Sequence, residues 1–226
     1  MNNRFNRINA LLGNDVMAKL RDATVMVVGC GAVGSFATEA LARSGVGHIV
    51  LVDFDVVEES NINRQIFALD STIGAPKVDV AAARIRDINP NAKVRAINTF
   101  FDANTDVDIK PDFVIDAIDT IDSKIALYRW CVAHGVPFAS SMGAALKSDV
   151  SQIHVGHISK TTVCPLAARV RKLVRDEKLP DFPVVYSTEK PNKAAATPGR
   201  VFGSIITETG TFGLCLADIA IKNIIG

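Results

Sequence analysis

One glycine run, set where the hydrophobic period changes, constrains this chain more than anything else in it. Gly29-Cys30-Gly31-Ala32-Val33-Gly34 follows the β-rich segment Thr24–Val28. It opens a segment, 32–44, in which Val33, Phe36, Ala37, Ala40 and Leu41 recur at helical spacing. The pattern is G-x-G-x-x-G in a strand–turn–helix context. Glycine permits the tight turn and lets the main chain approach a phosphate, and the free N–H groups and dipole of the following helix favour negative charge. Gly29, Gly31, Ala32 and Gly34 are therefore candidate nucleotide contacts. Asp53 ends the next apolar run, His48–Val52, nineteen residues beyond Gly34. A carboxylate at that point can accept hydrogen bonds from ribose hydroxyls.

The alternation continues. Lys77–Asn89 has helical spacing and is followed by Pro90; 93–97 and 113–115 read as strands; 122–134 reads as a helix closed by Gly135-Val136-Pro137. Continuous apolar strands between helices predict a Rossmann-like α/β fold, a mostly parallel sheet with helices on both faces. The second half is less regular: a strand within 152–157, an amphipathic helix over 166–174, a polar loop over 188–200, and an apolar helix within 201–225. It predicts a mixed or antiparallel extension of the sheet. The 226 residues read as one domain, with a nucleotide-binding part over about 1–145 and a substrate or dimer part over 146–226.

Composition narrows the classes. With 48% hydrophobic and 22% charged residues, the chain is neither disordered nor fibrous. The apolar run 201–225 carries Glu208, Asp218 and Lys222, which argues against a membrane span. The opening residues hold no apolar h-region, and the four cysteines (30, 131, 164 and 215) are far apart with no C-x-x-C pair. A cytoplasmic protein with reduced thiols is expected. Cys164 precedes Pro165 at an expected helix start, where a thiol can be activated. The four histidines show no metal-site spacing.

Taken alone, the glycine turn and Asp53 suit an NAD-dependent oxidoreductase. The residues that follow suit a triphosphate better. Asp55, then Ser60-Asn61-Ile62-Asn63-Arg64-Gln65, then Pro76-Lys77 lie just beyond the ribose strand. Lys77 begins a helix, where a cation opposes the dipole and calls for an anion. Asp116 and Asp119 follow the strand at 113, at the strand ends where ligands of open α/β sheets bind; one of them can serve Mg²⁺. Capping of the next helix is the competing role for Asp119.

In this order, Arg4-Phe5-Asn6-Arg7, the glycine turn, Asp53-Phe54-Asp55, Asn63-Arg64-Gln65, Pro76-Lys77 and Asp116-Ala117-Ile118-Asp119 resemble the ThiF/MoeB/HesA enzymes, the ubiquitin-activating-enzyme-like adenylyltransferases. The resemblance covers about residues 4–145. It implies a Rossmann-like adenylation domain, usually a homodimer, in which MgATP adenylates a carboxylate. It further implies that Asp53 holds the ribose, with Asn61 and Arg64 on nucleotide and phosphates. Lys77 would neutralise the α-phosphate region and Asp119 would bind Mg²⁺. Arg7 would reach the ATP of the other subunit. Asp55, Ser60, Asn63 and Thr120 complete the implied nucleotide contacts. The stretches Lys160-Thr161-Thr162, Pro165-Leu166-Ala167-Ala168-Arg169 and Tyr186-Ser187-Thr188-Glu189 resemble the branch that dehydrates threonylcarbamoyladenosine in tRNA. The alternative within the family is adenylation of the C-terminus of a ubiquitin-like sulfur-carrier partner.

Net charge is only +1, but residues 155–200 hold nine Lys/Arg against four Asp/Glu. Arg169, Arg171, Lys172 and Arg175 share one short stretch. Such a segment fits tRNA phosphates, and equally a solvated helix face.

Overall fold

The computed structural model describes residues 3–192 and 202–226. Among the described residues seven strands form one sheet: β1 (Thr24–Val28), β2 (His48–Asp53), β3 (Lys93–Asn98), β4 (Phe113–Asp116), β5 (Phe138–Ser141), β6 (Ile153–His157) and β7 (Pro183–Ser187). Their order is β3-β2-β1-β4-β5-β7-β6. Every pairing is parallel except that of the edge strand β6 with β7. Four of the five residues of β1 and all four of β4 and β5 are buried, as parallel strands covered on both faces must be. The expected α/β sheet with an antiparallel end is what the chain forms.

The helices are α1 (Asn6–Leu12), α2 (Asn14–Asp22), α3 (Gly34–Arg43), α4 (Lys77–Ile88), α5 (Ile121–His134), α6 (Pro165–Asp176) and α7 (Ile206–Ile225). One core lies between the sheet and α3, α4 and α7, around Val27, Leu41, Ile85 and Phe212. A second lies under α5 and α6, around Met26, Leu127, Tyr128 and Val170. Helix α7 begins at 206, so 202–205 are not helical as the apolar run suggested. The polar loop over 188–200 falls largely outside the described residues.

Close packing of α7 on α3 depends on missing side chains. A Cβ at Gly213 would come within 2.8 Å of the Phe36 Cβ and 2.9 Å of the Ala37 nitrogen. Lys19 of α2 donates to the Ile225 carbonyl at 2.7 Å, fixing the far end of α7. The helix that starts at the glycine turn is thus seated on α7. No described helix is long and apolar enough to cross a membrane.

Candidate active site

The glycine turn leaves β1 with Gly29 at φ +93, a left-handed conformation natural to glycine. A Cβ there would stand 2.7 Å from the Ala117 carbonyl oxygen. The turn and the loop after β4 therefore touch main chain to main chain. The Asp53 carboxylate closes the other side: it accepts from the Cys30 N–H at 2.6 Å and from the Asp55 N–H at 2.8 Å. One oxygen is used in each bond, which leaves lone pairs on both for other donors.

Beyond Asp53, a short 3-10 turn over Glu59–Asn61 sets the polar motif. Asn61 is buried and its side-chain oxygen accepts from the Glu58 N–H at 3.2 Å. Arg64 is oriented through one nitrogen alone: Nη1 donates to the Ser60 carbonyl and to Asn63 Oδ1, both at 2.8 Å. Its other N–H groups have no partner among the described residues. Lys77 begins α4, and the anion its position calls for is supplied within the chain. The Asp55 carboxylate accepts from Nζ at 2.7 Å, with the Lys77 side chain 8% exposed and that of Asp55 47%. An exposed carboxylate on a buried ammonium is a partner that an incoming phosphate can replace.

Asp116 does not face a ligand. It is fully buried at the end of β4, 2.7 Å from the equally buried Lys124 ammonium. Tyr128 and Ser140 donate to the same oxygen, and the Ile118 N–H donates to the other. Asp116 is therefore removed as a metal candidate, and it fixes the loop that carries Asp119. Asp119 is exposed, and the N-cap position of α5 is Thr120, without a side-chain cap. The capping role considered for Asp119 is thus not played.

These residues share one cleft of about 850 Å³ at the carboxyl ends of β1, β2, β4 and β5. Gly29, Gly31, Ala32, Asp53, Asp55, Asn61, Arg64, Lys77, Asp119 and Thr120 all line it. Gly34 does not; it packs beneath the turn, where a Cβ would overlap the Gly29 carbonyl. Ser60 and Asn63 lie outside the lining, and their parts are indirect. Ser60 Oγ donates to Glu58, and the Asn63 amide donates to the Ser204 carbonyl at 3.3 Å. Among the described residues no group of three His, Cys, Asp or Glu could cage a metal.

A ThiF family model matches residues 5–226. The chain belongs to the ThiF family. Within the ThiF family it is similar to the Bacillus subtilis tRNA threonylcarbamoyladenosine dehydratase, at 46% identity over 195 residues, 84% of this chain and 77% of that one. The Escherichia coli protein of the same name is 39% identical over 189 residues, 82% and 69% of the two chains. The solved E. coli tRNA N6-threonylcarbamoyladenosine dehydratase in complex with ATP superposes with a TM-score of 0.90 at 36% identity, covering 98% of this chain and 93% of that one. The E. coli molybdopterin-synthase adenylyltransferase is 35% identical over 153 residues, 65% and 59% of the two chains.

Two parts of this ThiF site stand apart from the sequence expectation. Arg7 lies exposed on α1, outside the cleft of its own chain. The cleft also runs on past the nucleotide motifs, over Met142–Lys147, Cys164–Leu166 and Thr209, of which the sequence singled out only Cys164, Pro165 and Leu166. Cys164 is buried at the start of α6, its sulfur 4.0 Å from the Gly143 carbonyl. Val184 is fully buried in β7. At the mouth, Phe54 and Phe100 meet edge to face with ring centroids 4.9 Å apart. Gln65 is buried in the lining over Gly31.

Proposed function

We propose that this protein uses MgATP to adenylate the carboxylate of threonylcarbamoyladenosine in tRNA, which then cyclises with net loss of water. The observation that carries the reading is the one cleft in which a glycine turn, the Asp53 carboxylate, two cations and an exposed aspartate converge, and which then continues over Met142–Lys147 and Cys164–Leu166. Asp53 accepts from the ribose hydroxyls. Asn61 and Arg64 meet the nucleotide and its phosphates. Lys77 exchanges Asp55 for the α-phosphate region, where negative charge builds as the substrate carboxylate attacks and pyrophosphate leaves. Positioning and charge neutralisation supply the rate. An internal nucleophile of the substrate then displaces AMP, so no enzyme cysteine is required.

One exposed carboxylate without a cage suits Mg²⁺, which keeps water and phosphate ligands and takes few from protein. Asp119 would hold it, and bound Mg²⁺ would supply charge neutralisation of the phosphates. Arg7, exposed on α1, suits a homodimer in which it serves the other subunit's cleft. Helix α6 starts in the cleft wall at Pro165 and Leu166 and runs outward through exposed Arg169, Lys172 and Arg175. Its inner arginine is committed within the chain: Arg171 donates to the Thr161 carbonyl and hydroxyl. Of the outer three, Lys172 and Arg175 pair with the exposed Asp176, at 2.7 and 3.7 Å, a partner that tRNA phosphates would replace along this path. Four free cysteines and a tRNA substrate fit the cytoplasm. Mass spectrometry of tRNA nucleosides after incubation with enzyme and MgATP tests the reading. Conversion of threonylcarbamoyladenosine to its dehydrated form is expected. Pyrophosphate exchange that depends on a ubiquitin-like carrier protein and not on tRNA selects the other adenylyltransferase activity.

A further inference from the structure

The cleft is laid out in strand order. Asp53 ends β2, the glycine turn follows β1, Asp119 follows β4, and the segment from Met142 to Lys147 follows β5. Adjacent strands lie roughly 4.8 Å apart, so β2 to β5 spans about 14 Å. That span takes a ribose, a phosphate and an acyl group in series, with the acyl group at β5. The end of the cleft that the nucleotide motifs leave unassigned is therefore where the group to be adenylated must lie.

Three features coincide there. Leu146 is held at φ +62, a left-handed conformation costly for a branched residue, which presents the next side chain to the cleft. That residue, Lys147, is 5% exposed, and its ammonium donates to the Gly143 carbonyl at 2.9 Å and the Ser187 carbonyl at 3.2 Å. An ammonium has three N–H donors, and the third has no acceptor among the described residues. Behind it, Glu208 in the first turn of α7 is 0% exposed and neither carboxylate oxygen has a hydrogen-bond partner among the described residues. Burial, then Glu189, raises the Glu208 pKa, and the Lys147 charge opposes the rise. Burial lowers that of Lys147, and the surrounding Cys164, Glu208 and Glu189 work against the loss of its proton. A buried cation with one unspent donor, set in a cleft wall, is expensive unless something comes to meet it.

We infer that Lys147 is the anchor for the substrate's carboxylate: its third N–H binds one carboxylate oxygen while the other attacks the α-phosphorus. The ligand class is an N-acylated amino-acid carboxylate. The inference rests on the adenylation reading and adds to it the residue that holds the acyl end.

The test uses the whole protein, MgATP and tRNA carrying threonylcarbamoyladenosine, with wild type, Lys147→Gln and Lys147→Met. Glutamine keeps two N–H donors for the Gly143 and Ser187 carbonyls and lacks the charge, so it guards against a variant that merely fails to fold. Both variants are expected to bind ATP within about threefold of wild type by calorimetry, while kcat/KM for the tRNA falls roughly 10- to 100-fold, the loss of one charged hydrogen bond. A kcat/KM for the tRNA unchanged in Lys147→Gln overturns the inference. So does a parallel loss of ATP affinity in both variants, which marks a purely structural lysine. Wild type that releases no AMP from this tRNA overturns the adenylation reading and the inference with it. An active wild type with an equally active Lys147→Gln overturns the inference alone.

Discussion

Replacing Lys124 with methionine should unsettle the fold more than any surface change. Lys124 and Asp116 are both fully buried, 2.7 Å apart, and the ammonium also donates to the Ser141 carbonyl at 2.8 Å and reaches Ser140 Oγ at 3.3 Å. Methionine keeps the length and the packing against the second core but leaves the Asp116 carboxylate with neutral donors only. Removing one partner of a buried ion pair costs about 3–5 kcal/mol. At roughly 2–4 °C per kcal/mol for a chain of this size, the melting temperature should fall about 6–20 °C. Adding Asp116→Asn to Lys124→Met removes the stranded charge and should recover part of that loss, although Asp116→Asn alone destabilises. Guanidinium unfolding of wild type, both single variants and the double variant gives the coupling. A Lys124→Met cost below about 1 kcal/mol, or a double variant weaker than Lys124→Met alone, refutes the buried-charge argument.

Gly29→Ala should lose ATP affinity and stability together, because the new Cβ meets the Ala117 carbonyl oxygen at 2.7 Å with φ at +93; calorimetry showing wild-type affinity would remove the main-chain contact from the argument. Asp119→Ala should reduce AMP release on the order of 100-fold with an unchanged circular dichroism spectrum, since the residue is exposed; wild-type turnover would end its assignment. Burial raises the pKa of Glu39, but the hydrogen bonds and charges of Arg84 and Arg43 outweigh it, and the carboxyl lies below its usual range. The unfolded chain then binds this proton at a higher pH than the folded one. The stability Glu39 contributes is full above its unfolded value, about 4.3, and is lost as pH falls through the lower folded value. Glu39→Gln should lower the urea midpoint at pH 7 and flatten its decline below pH 5; an unchanged acid limb contradicts this.

Period and punctuation made the first half legible. Strand β1, the glycine turn, α3, β2 and β4 each carry their own signal, a short apolar run or a 3.6-residue repeat bounded by glycine. Strand β5, Phe-Ala-Ser-Ser, carries almost none. Its strand state comes from burial between β4 and β7, and it reads in sequence as the tail of the Gly135-Val136-Pro137 break. Strand β7, Pro183–Ser187, has a β-rich Val-Val-Tyr centre, but its place between β5 and β6 comes from pairings made across a stretch containing all of α6. At the site, Asp53 ends an expected strand, Asp119 follows one, Lys77 begins an expected helix, and Arg64 is a cation in the polar run beyond the second strand, so each carried a mark in the sequence. Asp116 was marked by the same logic, and only its packing against Lys124 and Tyr128 separates it from Asp119. Lys147 had no local cue at all, because its character arises from three segments, 143–147, 187–189 and the start of α7, that meet only in the folded chain.

The seat of α3 on α7 sets an order on how the protein becomes competent during synthesis. The phosphate turn is translated early, but α3 buries its outer face against Gly210, Phe212 and Gly213, which leave the ribosome some 170 residues later. A nascent chain halted before residue 206 carries every nucleotide motif, but α3 then has only α4, through the Glu39–Arg84 pair, and the sheet to hold it. The arm of the cleft walled in part by Thr209 is completed at the same moment as the support behind the glycine turn.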